Sequence, residues 1–178
     1  MADKDIVNML SDPHTRREGF EEMVRLYGEP LYWTIRRIVL CHDDANDVLQ
    51  NAFVKAWEKL DTFQGKSSLR TWLYRISVNE SLDFMRKKKN EMLRTDSEVG
   101  VADKLMADEY FDGHETQALL QQAVASLPEV QRAVFVMKYF EEKKYTEISE
   151  ILSTSVGALK ASYHLAVKKI TEYFRNND

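Results

Sequence analysis

Apolar positions repeat at helical spacing along almost the whole chain. Phe20, Met23, Val24, Tyr27 and Leu31 form the first run. Gly28 and Pro30 interrupt it, and Pro30 suits the first turn of a second helix whose apolar face is Leu31, Ile35, Ile38 and Val39. His42-Asp43-Asp44 reads as a turn in which Asp43 or Asp44 caps the next helix. That helix has the clearest stripe: Ala45, Val48, Leu49, Ala52, Phe53, Ala56, Trp57 and Leu60, opposite Asp47, Gln50, Asn51, Lys55 and Glu58. A loop from Gln64 to Ser67 ends it. Ser67 or Ser68 then caps a helix running to about Lys89, with Leu69, Leu73, Ile76 and Phe84 facing inward. Periodicity fades from residue 90 to about 115, too long a stretch for an ordinary loop and better read as a linker. It resumes at Leu119, Leu120, Ala123, Val124 and Leu127. Pro128 opens a helix carrying Val130, Ala133, Val134, Met137 and Phe140. A short helix from Thr146 to Leu152, the turn Ser153-Thr154-Ser155 and a long helix from Val156 to Phe174 complete the chain. No alternating strand pattern is sustained, so the expected fold is all-α.

Composition agrees. Gly is scarce at 6 and Pro at 3 among 178 residues, with 44% hydrophobic and 30% charged content. No apolar run approaches the length of about 18 residues needed to span a bilayer. The start, MADKDIVNML, lacks the basic-then-apolar order of a secretory signal. The single cysteine, Cys41, excludes an internal disulfide framework and reads as a plain buried thiol in a cytoplasmic protein.

Charge is unevenly placed. Residues 91–126 hold 2 basic against 8 acidic side chains, whereas residues 1–90 and 127–178 each net +1. Two helical domains, 1–90 and 116–178, therefore flank an acidic linker, 91–115. Within that linker Leu105, Met106, Tyr110 and Phe111 offer docking groups. A net of −6 mimics a polyanion that could thread a cationic channel; a solubilising, DNA-repelling spacer fits the same charge.

Two segments carry candidate chemistry. From Phe63 to Lys89, seven basic residues oppose only Glu80 and Asp83, beside Trp72 and Tyr74. Cations that track phosphates and rings that stack on bases suit an unpaired strand of nucleic acid. Core positions for both rings, an ion pair between Asp83 and Arg86 or Lys87, and a helix end that favours positive charge would explain the same residues without a ligand. In the second segment, short helix, tight turn and longer helix form a helix-turn-helix pattern, whose second helix would enter a DNA major groove. With Val156, Leu159, Tyr163, Ala166, Ile170 and Tyr173 inward, the outward face offers Ser162 and His164 for base edges and Leu165 for a thymine methyl. Lys160, Lys168 and Lys169 suit phosphates. A solvated face of an ordinary helical hairpin would look similar.

The order of these features resembles a known family. FxGxSxxRTWLYRIxxNxxLDxxRKKK looks like region 2 of the extracytoplasmic-function (ECF) sigma factors of the sigma-70 class, and DDANDVLQNAFVKAWEKLDTF resembles the helix before it. LPEVQRAVFVMKYFEEKKYTEISEILSTSVGALKASYHLAVKKI looks like their region 4. The resemblance covers about residues 15–89 and 116–174. It implies a protein that binds core RNA polymerase, directs it to promoters and helps part the strands, with region 2 on the −10 element and region 4 on the −35 element. By matching position it implies polymerase contacts, to the beta-prime clamp helices, at Asp47, Gln50, Asn51 and Phe53. Gln64, Gly65, Lys66, Ser67 and Ser68 fall on the loop that captures an unstacked base. Arg70, Trp72, Arg75, Asn79, Arg86 and Lys87 fall on the helix facing that strand. Ser155, Lys160, Ala161, Ser162, His164, Leu165 and Lys168 fall at the −35 contact. The beta flap of polymerase, promoter DNA and an anti-sigma protein, often membrane-bound, are the further implied partners; no cofactor, metal or small-molecule substrate is implied.

Two departures stand out. Asn51 occupies a position where many relatives carry Glu. Region 4 often reads V-K-S-R-x-x-R-A-R, but here Leu159-Lys160-Ala161-Ser162-Tyr163-His164-Leu165-Ala166-Val167 lacks at least two of those arginines, so a less cationic −35 contact is expected. A ligand-responsive helix-turn-helix regulator would account for the C-terminal pattern but not for the basic aromatic loop. An all-helical adaptor that binds only protein would have polar faces indifferent to salt and nucleic acid. An enzyme is not expected: His14, His42, His114 and His164 are scattered, and neither a C-x-x-C nor a Gly-rich phosphate loop occurs.

Overall fold

The computed structural model describes residues 1–95 and 115–177 of the 178-residue chain. Among these residues the regular structure is helical, without strands. The N-terminal lobe contains α1 (Asp3–Ser11), α2 (Arg16–Val39), α3 (His42–Glu58) and α4 (Leu69–Thr95). The C-terminal lobe contains α5 (Glu115–Ala125), α6 (Glu129–Phe135) running into a π-helical turn (Val136–Phe140), then α7 (Tyr145–Leu152) and α8 (Val156–Asn176). None of these helices is long and apolar enough to cross a membrane. The acidic stretch with Leu105, Met106, Tyr110 and Phe111 lies outside the described residues.

Several expected boundaries move. α1 has no counterpart in the sequence reading. Ile6 and Leu10 bury one side of it, and the absence of a side chain at Gly19 lets α2 approach; a Cβ there would stand 2.8 Å from that of Met9. The expected break at Gly28 and Pro30 does not occur: α2 continues to Val39. A proline inside a helix withholds one N–H, here from the Leu26 carbonyl. Both residues lie on the exposed side, where water can take over that bond. α2 ends instead at Leu40, whose backbone is left-handed (φ 74°) and whose N–H returns to the Arg36 carbonyl at 2.9 Å. Neither Asp43 nor Asp44 caps α3. Both sit inside its first turn, where their charge complements the helix dipole.

α4 departs most from its expected stripe. Leu69 and Leu73 are buried as expected, but so are Tyr74, Ser77, Val78, Ser81 and Leu82; Ile76 and Phe84 are only half-buried. One side of α4 packs on α2 and α3, and another packs on α7 of the second lobe. A helix buried on two sides loses the single apolar stripe from which its phase would be read. α4 also continues to Thr95, past the expected domain end at residue 90.

The lobes share one continuous core. It runs from Ile6, Met23 and Leu31 through Leu73, Val78 and Leu82 to Val134, Ile148, Ile151 and Leu159. Polar links cross the same seam. The buried Arg132 guanidinium on α6 donates to the Ile38 carbonyl at 2.7 Å while also reaching three carbonyls of its own lobe: Ala125 (2.8 Å), Leu127 (2.9 Å) and Val124 (3.3 Å). The Thr34 hydroxyl donates to Glu141, just after the π turn. Lys143 Nζ lies 3.8 Å from the centre of the Tyr74 ring, and the Arg37 guanidinium 4.6 Å from that of Phe140.

Candidate nucleic-acid and polymerase interfaces

The loop before α4 has the expected form. Gly65 is left-handed (φ 67°), a conformation that L side chains rarely adopt. Gln64, Gly65, Lys66 and Ser68 are exposed and Ser67 is half-buried. Ser68 caps α4: its hydroxyl accepts from the Thr71 N–H at 3.1 Å.

α4 divides its candidate residues between two faces. Trp72 is half-buried against Phe63, with ring centroids 5.2 Å apart. It lines a cleft of about 320 Å³ between α3 and α4 with Arg75, Asn79 and Asp83. Arg70 is not part of that face. It lies on the opposite side of the helix, its guanidinium 5.5 Å from the Tyr74 ring at the lobe seam. The cationic end is partly neutralised: Arg86 pairs with Asp83 at 3.0 Å, Lys88 with Asp44, and Lys89 lies 4.0 Å from Glu129. Lys87 is exposed. In the cleft, Lys55 pairs with Glu80, a hydrogen bond that raises the Lys55 pKa and keeps the amine charged.

Two α4 side chains touch the second lobe directly. Arg75 donates to the Ser153 hydroxyl at 2.8 Å, and Asn79 donates to the Ile151 carbonyl at 3.4 Å. Both acceptors belong to the turn region of the helix-turn-helix.

That turn follows from local chemistry. Ser153 adopts a left-handed conformation (φ 52°) and ends α7. Ser155 caps α8, its hydroxyl accepting from the Ala158 N–H at 3.2 Å. On α8 Leu159, Ala166 and Ile170 are buried, and Tyr163 and Tyr173 are half-buried, close to the expected stripe. Ser155, Lys160, Ala161, His164, Leu165 and Lys168 are exposed, and Ser162 is half-buried. Lys169 is exposed and donates to the Gln131 side chain at 3.0 Å.

On α3, Asp47, Gln50 and Asn51 form an exposed stripe. Phe53 does not join it: its ring packs edge-on against Phe20 at 6.2 Å. Val54 takes its place at the surface, 57% exposed, and Trp57 is 45% exposed although its spacing had suggested burial.

Electrostatic strain is concentrated at the seam. Burial pushes the Glu141 carboxyl above the usual carboxylate range, against the opposing pull of Thr34, Lys143, Arg37 and Arg70. Burial lowers the Lys143 and Arg37 pKa values and draws Arg132 down to about 10. Of these groups only Arg70 was singled out from the sequence. The available signal was phase: Thr34 and Arg132 stand at inward positions of apolar runs.

The family profile for Sigma-70 region 2 matches residues 23–91, and that for Sigma-70, region 4 matches residues 117–170. The chain is 30% identical over 171 residues to the ECF RNA polymerase sigma factor SigW of Bacillus subtilis (strain 168), covering 90% of this chain and 91% of that protein. The chain belongs to the ECF RNA polymerase sigma factors. This sigma factor is also 28% identical to an RNA polymerase sigma-E factor of Streptomyces avermitilis, over 89% of its own length and 87% of the other. Its fold matches that of CnrH in complex with the cytosolic domain of CnrY, with a TM-score of 0.71 at 22% identity over the whole of both chains. It also matches the sigma factor RpoE in complex with the anti-sigma factor NepR from Bartonella quintana. There the TM-score is 0.67 at 23% identity, covering 88% of this chain and 96% of that one.

Proposed function

We propose that the N-terminal lobe captures the non-template strand of the −10 element and that α8 reads the −35 element while polymerase holds the duplex. One observation carries the division of labour. The left-handed Gly65 loop and the Trp72 cleft lie on one lobe and the exposed face of α8 on the other, which supports a single-strand platform and a groove-reading helix that act separately. Unstacking a base costs a few kcal/mol. Stacking on an aromatic ring returns about 1–3 kcal/mol per base. These comparable magnitudes let a small protein tip strand opening once the duplex is tethered. The α8 face has few cations, so its duplex affinity rests on polymerase raising the local concentration.

We further propose that Asp47, Gln50, Asn51 and Val54 form the stripe that meets the beta-prime clamp helices, and that the C-terminal lobe engages the beta flap. Domain limits follow the helices: the N-terminal lobe ends with α4 near residue 95 and the C-terminal lobe begins with α5 at residue 115. An anti-sigma protein is the proposed regulator, as the two structural relatives are each described bound to a protein partner. A membrane-bound anti-sigma protein would hold this chain at the inner membrane. Transcription reconstituted on a fragmented-genome template, with core polymerase plus and minus this protein, tests the function: new, discrete start sites are expected. Tight duplex binding by the free protein with no effect on core polymerase would instead favour a ligand-responsive regulator.

A further inference from the structure

A cavity of about 680 Å³ lies between α2, α5 and the π turn, and none of its described lining residues belongs to the Trp72 cleft. Its size falls within the range of about 300–1,000 Å³ of small-molecule sites. Three features of its walls point to one class of ligand. The first is a pair of open aromatic rings: Trp33 is 40% and Tyr139 52% exposed. Both are braced by other rings. Trp33 packs edge-on against Tyr32 at 5.1 Å, and Tyr139 stacks on Phe135 at 5.0 Å. Each therefore presents a supported surface to a flat partner.

The second feature is charge. Arg36 and Arg37 line the cavity, and among the described lining residues none is acidic, although acidic side chains outnumber basic ones in the chain by 29 to 25. The Arg37 guanidinium lies 4.6 Å from the centre of the Phe140 ring, and among the described residues it makes no ion pair. Burial lowers its pKa, so an anion beside it would restore part of the stabilisation that desolvation removes. A place in the last turn of α2 accounts for a cation there, because it complements the helix dipole. It does not account for the want of a carboxylate. The third feature is a pair of amides, Gln117 and Gln121, one turn apart on α5. Each can both donate to and accept from the edge of a base.

We propose that this cavity binds a purine nucleoside diphosphate: the base lies against the Trp33 and Tyr139 rings, Gln117 and Gln121 meet its edge, and Arg37 takes the phosphates. The division follows from the chemistry of each wall. A purine is the larger of the two base types and gains most from two rings. A guanidinium fork matches phosphate oxygens two at a time. Arg36, anchored by the Leu40 carbonyl, adds charge behind it. A free phosphate or a bare aromatic ring would use only half of these groups. The cavity and its ligand do not depend on the −10 and −35 readings above.

Isothermal titration calorimetry of the full chain with ADP and with GDP is the test. One saturable site is expected for at least one of them. Pyrophosphate alone and the matching nucleoside alone should each bind at least tenfold more weakly. Trp33→Ala and Arg37→Lys should each weaken nucleotide binding at least tenfold, since one removes a stacking surface and the other the fork. Tyr139→Ala, at a largely exposed ring, should do the same and stands in should Arg37→Lys disturb the fold; urea midpoints report the folding of each variant. Arg17→Gln, exposed and outside the cavity, should leave the affinity unchanged. Absence of saturable binding by both nucleotides overturns the proposal. So does pyrophosphate that binds as tightly as the nucleotide, or undiminished binding by the folded variants. Binding that emerges only when Tyr110→Ser and Phe111→Ser are combined would assign the cavity to the chain's own acidic segment and would equally overturn it.

Discussion

Arg75 donates a 2.8 Å hydrogen bond to the hydroxyl of Ser153. A side chain proposed to follow promoter DNA is thus engaged by the turn that precedes the proposed base-reading helix. The donor is charged but the bond is exposed, so it contributes less than the about 1.5–3 kcal/mol of a well-shielded hydrogen bond to a charged group. Ser153→Ala is expected to increase amide exchange in α7 severalfold with little effect on the melting temperature. Hydrogen-exchange mass spectrometry would show this, and unchanged protection would mean that the bond does not help to hold the lobes.

Trp72→Ala combined with Arg75→Ala should impair strand opening more than polymerase binding. Losing one stacking platform removes about 1–3 kcal/mol, or roughly 5- to 150-fold in open complexes. Permanganate footprints report the opening and a pull-down reports the binding. Equal losses in both would contradict the proposed division between α3 and α4.

His164→Ala is expected to alter −35 preference while leaving −10 preference intact, because His164 is exposed on α8, away from the Trp72 cleft. Selection from a promoter library randomised at both elements is the measurement. Identical −35 sequences for both proteins would remove His164 from the base-reading set.

Arg132→Met tests the buried hub. The substitution leaves four carbonyls short of a donor, three of them within the C-terminal lobe. Leaving buried acceptors unsatisfied costs about 1–3 kcal/mol. Urea unfolding should show that loss, and a change under 1 kcal/mol would mean that methionine packing or water replaces the guanidinium.

Stability should depend on pH through Glu141. Burial raises its pKa above 4.5 in the folded protein, so folding takes up a proton at this site. Lowering the pH through the window above 4.5 therefore favours the folded state at this site, and raising it disfavours that state. Lys143 and Arg37, which face Glu141, have lowered values and act in separate, alkaline windows; Tyr74 is raised from 10.0 and also lies far from this range. The part of the urea-midpoint slope between neutral pH and pH 5 that belongs to Glu141 should vanish in Glu141→Gln, and that slope should change accordingly. A slope unchanged by Glu141→Gln would assign the dependence to another group.

Much of this was legible because helices advertise one buried stripe. α3 and α8 each bury a single side, and Ala45, Val48, Ala52, Leu159, Ala166 and Ile170 lie where their spacing places them. The motif order also carried the family. What escaped reading has physical reasons. α4 is buried on two sides, so Tyr74, Val78 and Leu82 fell outside any one stripe. Pro30 signalled a break that a solvent-facing position made tolerable. Arg70 and Trp72 are two residues apart, which on a helix puts them on opposite sides despite their nearness in sequence. The seam between the lobes was least visible, because Thr34, Arg132 and Glu141 meet their partners only across about a hundred residues of chain.

The continuous core would carry a cost if the lobes were to separate. Val78 and Leu82 on one side and Ile148 and Ile151 on the other would be bared, a greasy surface with no cover of its own. A copy that sprang open without a client would thereby be marked for clumping or for proteolysis. The same packing that steadies the joined lobes would thus shorten the life of any stray separated copy, and would cap its numbers in the cell without a dedicated destruction signal.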